Sequence, residues 1–186
     1  MKTFFTADLH LYDKDIAGYR GFKSVQEYHD LLLKNWNDTV SDNDLVYIIG
    51  DLSIENGIMA SQLLTLNYNG NKILIPGNHD DMNTIISFYQ APKHNVMMYP
   101  SISIEDKKYL ISHVPVHPNE LDTFGYTGNI HGHNHKPMPE DGYNPAWPSP
   151  TAPDRPGRFE MCYYNVNVEA RNYKPVPLEQ IKEFFK

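Results

Sequence analysis

Apolar and polar positions in the first half of the chain follow two alternating patterns. Some stretches are short, continuous apolar runs, which favour buried strands, and others repeat apolar residues at the spacing of an amphipathic helix. The Ser24/Glu27 pair has the capping-box spacing that marks a helix start. The predicted order is strand 2–6, helix 24–40, strand 45–49, helix 58–66, strand 72–75 and helix 82–88. Such alternation indicates an α/β fold.

The pattern changes after Pro92. Further strands are predicted at 95–99, 101–105, 109–112 and 163–168, and a closing helix is predicted at 178–185. Residues 7–22 and the Pro- and Gly-rich segment 136–160 show no periodicity and are predicted to be loops. A chain of 186 residues fits a single domain, 1–186.

The composition and charge of the chain limit the binding partners and the cellular location that we expect. The chain is 40% hydrophobic and 21% charged, as in ordinary globular proteins, and its formal net charge of −7 would repel a long nucleic acid. One cysteine, Cys162, excludes an internal disulfide and a thiolate-rich metal cluster. The N-terminus lacks the apolar run of a signal peptide, and no stretch is long and apolar enough to span a membrane. We therefore expect a cytoplasmic protein without membrane contact.

Polar clusters follow several of the predicted strands. Because sites in α/β folds assemble at the carboxyl ends of strands, we expect these clusters to converge. The clusters are Asp8-Leu9-His10, Gly50-Asp51, Gly77-Asn78-His79-Asp80, Ser112-His113 and His131-Gly132-His133-Asn134-His135.

The side chains in these clusters are typical of a divalent metal site. Carboxylate, imidazole and amide donors without sulfur suit manganese above all, and also iron, zinc or nickel. The number of donors exceeds what one ion needs and fits two ions. Two divalent cations would make the site locally positive and attract a phosphate into an otherwise acidic protein.

The order and spacing of these motifs resemble those of the calcineurin-like metallophosphoesterases over residues 2–135. The resemblance implies a four-layer α-β-β-α sandwich of two mixed β-sheets flanked by helices. It also implies the metal ligands: Asp8, His10 and His135 for one ion, Asn78, His113 and His133 for the other, and Asp51 bridging both.

The resemblance implies that His79 is the catalytic proton donor or charge stabiliser and that Asp80 orients its imidazole. Water activated between the two metals would then be the nucleophile, and His79 would protonate the leaving oxygen. His131, one residue before the last motif, is expected to be a strand-end residue near the site. No role is predicted for His29, His94 or His117.

The chain departs from some family patterns, and these departures limit the class of substrate that we expect. The segment after Asp51 contains no Arg, and the third motif ends in Asp80 where protein phosphatases usually have Glu, so a protein phosphatase is disfavoured. We expect a phosphodiesterase acting on a small nucleotide-like or cyclic phosphodiester. The alternatives are a phosphomonoesterase acting on nucleotides or small phosphorylated metabolites, and a non-catalytic metal-binding scaffold, which the complete ligand set disfavours.

The segment 136–160 directly follows His135 and could supply substrate contacts, for example by stacking an aromatic ring on a base. Packing as a lid or an oligomer contact is the alternative, and the sequence leaves the oligomeric state open. The candidate contact residues are Tyr143, Trp147, Arg155 and Arg158, with Asn119 and Tyr126 outside the segment.

Overall fold

A computed structural model describes residues 1–135 and 163–185. The strands are β1 (Thr3–Thr6), β2 (Leu45–Ile49), β3 (Asn71–Ile75), β4 (His94–Val96), β5 (Ser101–Ile104), β6 (Lys107–Ser112), β7 (Gly128–His131), β8 (Tyr163–Asn165) and β9 (Val176–Pro177). The helices are α1 (Lys14–Tyr19), α2 (Val25–Asn37), α3 (Gly57–Asn67), α4 (Met82–Gln90), α5 (Pro118–Thr123) and α6 (Leu178–Phe184), with a 3-10 turn at Glu169–Arg171.

The strands form two mixed sheets. The first has the order β4-β3-β2-β1-β9, in which β9 runs antiparallel to β1 and the other pairs are parallel. The second has the order β5-β6-β7-β8, in which only the β5–β6 hairpin is antiparallel among the described strands. Parallel pairing brings the carboxyl ends of neighbouring strands to one edge of each sheet.

Two apolar layers hold the sheets and helices together. Between the sheets, Phe5 and Ile49 of the first sheet belong to one buried cluster with Ile111 and Ile130 of the second. A second cluster lies between the first sheet and the helices: Phe4, Val46, Ile48 and Leu74 pack with Tyr28, Leu32, Trp36, Leu64 and Phe88. The predicted arrangement of two mixed sheets flanked by helices is therefore confirmed.

Two short helices lie where no helix is predicted. Helix α1 interrupts the predicted loop 7–22, and the Asp13 carboxylate accepts hydrogen bonds from the backbone N–H groups of Asp15 and Ile16 at its start. Helix α5 begins at Pro118, a residue suited to a first helical turn. Both are only 6 residues long, too short for a clear apolar period. No described helix is long and apolar enough to cross a membrane.

Candidate metal centre

The predicted ligands follow strands of both sheets. Asp8, Asp51 and Asn78 come shortly after β1, β2 and β3 of the first sheet, and His113 and His133 come after β6 and β7 of the second. Strands β1 and β2 pair in parallel with Thr6 opposite Ile48, so their carboxyl ends lie side by side. The centre thus lies where the edges of the two sheets meet.

Several of the predicted ligands have backbone conformations that are rare for residues other than glycine. Asp8, His10, Asp51 and His133 have φ angles of 59°, 43°, 54° and 68°. Such left-handed conformations cost non-glycine residues on the order of 1–3 kcal/mol each and cluster at functional sites. The sharp turns aim side chains of separate strands at a common point.

Two motif glycines leave room for the ligands. A Cβ atom on Gly50, whose φ is 76°, would lie 2.3 Å from Nδ1 of His113. A Cβ atom on Gly132 would lie 2.6 Å from Oδ2 of Asp8. Both distances are far below van der Waals contact, so these positions of the Gly-Asp and Gly-His-x-His motifs exclude side chains.

Asp8, His10 and His135 form the first ligand cluster, in which one donor atom from each residue lies within 4.8 Å of the others. Nε2 of His135 is 3.8 Å from Oδ1 of Asp8. Both ring nitrogens of His10 are buried without a hydrogen-bond partner among the described residues. A buried imidazole normally has a partner, and a metal ion would satisfy one of these two nitrogens.

Asp51, His113 and His133 form the second cluster, within the same 4.8 Å limit. Nε2 of His113 is 3.2 Å from Oδ2 of Asp51, 3.0 Å from Oδ1 of Asn78 and 3.3 Å from Nδ1 of His133. The same Oδ2 of Asp51 is 3.8 Å from Nε2 of His10 in the first cluster. Asp51 therefore lies between the clusters, as a bridging ligand would.

The electrostatics of the two carboxylates differ. Burial, with a contribution from the Asp51 charge, raises the pKa of Asp8 to about 7. Burial also acts to raise the pKa of Asp51, but the hydrogen bond and charge of His113 outweigh it and lower the pKa to about 2. Burial, then the positive charge of Arg20, lowers the pKa of His10 to about 4. A neutral imidazole such as that of His10, beside an ionised carboxylate such as that of Asp51, is a pair of donors that a divalent metal can bind.

The His79 side chain is exposed beside the clusters, while its backbone N–H donates to Oδ1 of Asp51. Its ring lies edge-on to that of His10, with 5.6 Å between the ring centroids. His79 is therefore close enough to the centre to meet a substrate from the solvent side.

The described hydrogen bonds of Asp80 go to backbone groups, and none of them joins it to the His79 imidazole that it is predicted to orient. The buried carboxylate accepts hydrogen bonds from the backbone N–H groups of Asp51, Leu52 and Gly77 at 2.9, 2.8 and 2.9 Å. Each carboxylate oxygen thereby accepts at least one backbone hydrogen bond. Asp80 holds the turn after β2 against the turn after β3.

Two residues beside the first cluster carry no sequence motif. Oε1 of Glu169 is 3.0 Å from Nδ1 of His135 and accepts a hydrogen bond from Nε of Arg20 at 2.7 Å. Burial acts to raise the pKa of Glu169, but the hydrogen bonds from His135 and Arg20 lower it overall. The only sequence signal is the alternation of Asn165, Asn167 and Glu169.

The remaining predicted residues separate into three groups. His131, the last residue of β7, is buried, with Nδ1 2.8 Å from the Gly132 carbonyl oxygen. Tyr126 packs on a small apolar cluster with Leu121, and Asn119 is exposed at the start of α5. The candidate substrate contacts Tyr143, Trp147, Arg155 and Arg158 lie outside the described residues.

Comparison with known proteins agrees with this geometry. A family model described as calcineurin-like phosphoesterase matches residues 1–167. An uncharacterised protein of Methanocaldococcus jannaschii is 34% identical over 138 residues, covering 72% of this chain and 69% of that protein. The Gene 66 protein of Mycobacterium phage L5 is 30% identical over 164 residues, covering 73% and 78%.

A solved structure shares the fold. It is a protein of unknown function from Aquifex aeolicus, 22% identical, with a TM-score of 0.69 and 98% of each chain covered. The chain belongs to the calcineurin-like phosphoesterase family. It is accordingly a hydrolase of phosphate esters, and the two ligand clusters fit the divalent metals that this family uses.

Proposed function

We propose that the protein is a phosphodiesterase that hydrolyses a small nucleotide-like or cyclic phosphodiester at a centre of two divalent ions, with manganese as the native metal. The observation that carries this proposal is the position of Asp51 between two adjacent ligand clusters, with His79 exposed beside them. When bound, two such ions would supply an activated water and neutralise charge on the phosphoryl oxygens.

The protein's own residues orient the reaction. The Asp51 carboxylate ties the two clusters together, and the backbone N–H of His133 donates to Oδ2 of Asp8 at 2.9 Å, which links the clusters a second time. His79 reaches the substrate from the solvent side, where its imidazolium can give a proton to the departing ester oxygen. Water attacks phosphorus and gives up one proton to solvent, the P–O bond to the leaving alcohol breaks, and the His79 proton completes that alcohol, so that a phosphomonoester remains.

Charge near the site favours a diester. A monoester carries up to two negative charges near neutral pH, whereas a diester carries one. The segment 52–57 after Asp51 contains Glu55 and no cation. Arg20, a buried cation beside the first cluster, is already paired with Glu169. Among the residues that the structure describes, few free cations lie beside the clusters, and such a site is better matched to the monoanion.

A cavity supports a small organic group on the substrate. Its volume is about 420 Å³, and the segments Tyr12–Ile16 and Ser53–Asn56, which begin two residues after His10 and Asp51, line it. Ser53 Oγ donates to the Leu11 carbonyl oxygen at 2.7 Å and joins the two walls. The volume suits a ligand the size of a nucleoside. The segment 136–160 remains our proposal for further substrate contacts.

The test compares bis-p-nitrophenyl phosphate with p-nitrophenyl phosphate, using protein stripped of metal and reloaded with Mn²⁺. We expect cleavage that depends on metal, prefers the diester and falls about 10²–10⁴-fold in His79→Ala. Asp106→Asn, at an exposed hairpin turn, is the control and should match wild type.

The alternatives give different outcomes. Preference for the monoester would favour a phosphomonoesterase, and metal binding without turnover of either ester or of cyclic nucleotides would favour a scaffold. Long single-stranded DNA added as a competitor should not inhibit, because the net charge of −7 opposes its approach. We also propose a cytoplasmic location, which the single cysteine supports; recovery of the protein in the membrane or secreted fraction would contradict it.

A further inference from the structure

We propose that Glu169 is a positioning residue that gives the first ligand cluster tighter metal binding than the second, through its hydrogen bond with His135. The inference rests on the two-ion centre of the proposed function. Glu169 lies beyond residues 1–167, which the family model matches, and 34 residues after His135 in the sequence.

The geometry selects one form of the His135 ring. Oε1 of Glu169 is 3.0 Å from Nδ1, closer than the Arg20 Nη2 at 3.5 Å, and Nε2 on the other side of the ring faces Oδ1 of Asp8 at 3.8 Å. A carboxylate at Nδ1 holds the proton there and leaves the lone pair on Nε2, the atom that points into the cluster. It also makes Nε2 a more basic ligand and stops the ring from turning.

Arg20 keeps Glu169 in place. Its side chain is completely buried; Nε donates to Oε1 of Glu169 at 2.7 Å and Nη2 donates to the Asp8 carbonyl oxygen at 2.8 Å. One guanidinium therefore contacts both the backbone of the ligand Asp8 and the carboxylate that hydrogen-bonds to the ligand His135. Since the Glu169 side chain is only 14% exposed, water competes little with this pair.

The backbone around Glu169 is anchored to the same motif. Asn165 Nδ2 donates to the Asn134 carbonyl oxygen at 3.0 Å, and Asn167 Oδ1 accepts from the Glu169 backbone N–H at 2.9 Å. Asn165, Asn167 and Glu169 thus contact, in that order, the backbone before His135, the backbone at the start of the 3-10 turn and the His135 ring. Together they place the Glu169 carboxylate at a defined distance from the ligand.

In the second cluster, a histidine ligand hydrogen-bonds to a weaker acceptor. Nδ1 of His113 lies 2.9 Å from the Ile49 carbonyl oxygen, which is a neutral acceptor. A neutral carbonyl orients the ring but adds less basicity than a carboxylate does. The two clusters therefore differ in the group behind a histidine ligand, and the first should bind metal more tightly.

The test titrates Mn²⁺ into metal-stripped protein by calorimetry. In wild type we expect two sites of unequal affinity. In Glu169→Ala the affinity of the tighter site should fall about 10–100-fold, as is typical when a carboxylate behind a histidine ligand is lost, and the weaker site should be unchanged. Glu169→Gln keeps an acceptor oxygen without the charge, so this variant should lose less Mn²⁺ affinity than Glu169→Ala. Glu179→Gln, at an exposed position of α6, is the control.

Variants in which only one ligand cluster is intact identify the metal site that Glu169 affects. In a His113→Ala background, where the first cluster remains, Glu169→Gln should weaken the remaining site; in a His10→Ala background it should have no effect. Equal weakening in both backgrounds, or in neither, would overturn the inference, and so would fewer than two Mn²⁺ bound to wild type. The titration does not depend on turnover, so a protein that binds two ions without hydrolysing any ester would refute the proposed function alone.

Discussion

Replacing Asp80 by Asn separates a structural role of this carboxylate from the catalytic role that the motif predicts. The carboxylate accepts three backbone N–H groups, those of Leu52 at Oδ1 and of Asp51 and Gly77 at Oδ2. An Asn side chain has one acceptor oxygen. With that oxygen facing Asp51 and Gly77, its amide nitrogen points at the Leu52 N–H, so that two donors meet.

The expected cost follows from these contacts. A hydrogen bond to a charged group contributes about 1.5–3 kcal/mol, and an unsatisfied buried donor costs about 1–3 kcal/mol. Because the two effects overlap at one N–H group, we expect Asp80→Asn to lose about 2–4 kcal/mol of unfolding free energy. The turn that carries Asp51 should also shift, which weakens metal binding at both clusters.

The assay is urea unfolding of the metal-free protein, with Mn²⁺ titration and diester hydrolysis on the same samples. His79→Ala is the comparison, since its side chain is exposed and should leave stability and metal affinity unchanged while reducing the rate. Asp106→Asn is the matched control. If Asp80→Asn unfolds like wild type and binds Mn²⁺ normally, yet hydrolyses as slowly as His79→Ala, the backbone role is refuted.

Three other measurements test the structure. Gly50→Ala should cost about 2–5 kcal/mol, because a Cβ would collide with His113 on left-handed backbone. Burial lowers the pKa of Lys72 to about 8 from 10.5, so that between these pH values the folded protein has released a proton that the unfolded chain retains. The unfolding free energy of wild type should therefore rise relative to Lys72→Met by roughly 3 kcal/mol on going from pH 8 to 10.5. Removal of metal by a chelator should abolish hydrolysis and lower the Tm, and added Mn²⁺ should restore both.

Each of these measurements has a control or a contrary result. Gly125→Ala has a similar φ of 73° with no neighbour within 4 Å, so a loss equal to that of Gly50→Ala would show that backbone strain alone is responsible. Parallel stability curves for wild type and Lys72→Met would mean that Lys72 keeps its usual pKa. Hydrolysis that survives complete metal removal would contradict a metal-dependent reaction.

Asp8, Asp51, Asn78 and His113 could be placed near one another because each follows a strand that the apolar pattern also predicts. His133 and His135 follow β7, for which no strand is predicted, so their place rests on the motif alone. The runs at 45–49 and 72–75 match β2 and β3 closely, and parallel pairing brings Asp51 and Asn78 together. Ser24 caps α2 as predicted, accepting from the Glu27 N–H at 3.1 Å. Local pattern and sheet geometry are sufficient for these features.

Other features depend on contacts distant in sequence. Glu169 approaches His135 only because β8 pairs with β7, and Arg20 reaches Glu169 across 149 positions of sequence. The role of Asp80 depends on the distance between two turns, which a motif does not encode. Helix α1 follows the capping side chain of Asp13, but its few turns give no period to detect.

The connection between β7 and β8 has a consequence for how the protein can diversify. Residues 136–162 join two neighbouring parallel strands, and the chain is held on both sides of them by the bonds from Asn165 to Asn134 and from Glu169 to His135. An insertion, deletion or exchange between these anchors would leave in place the candidate metal ligands and the supporting residues that the structure describes. If this connection contacts the substrate, as proposed above, its exchange would give a lineage a new substrate while the reaction chemistry is inherited unchanged.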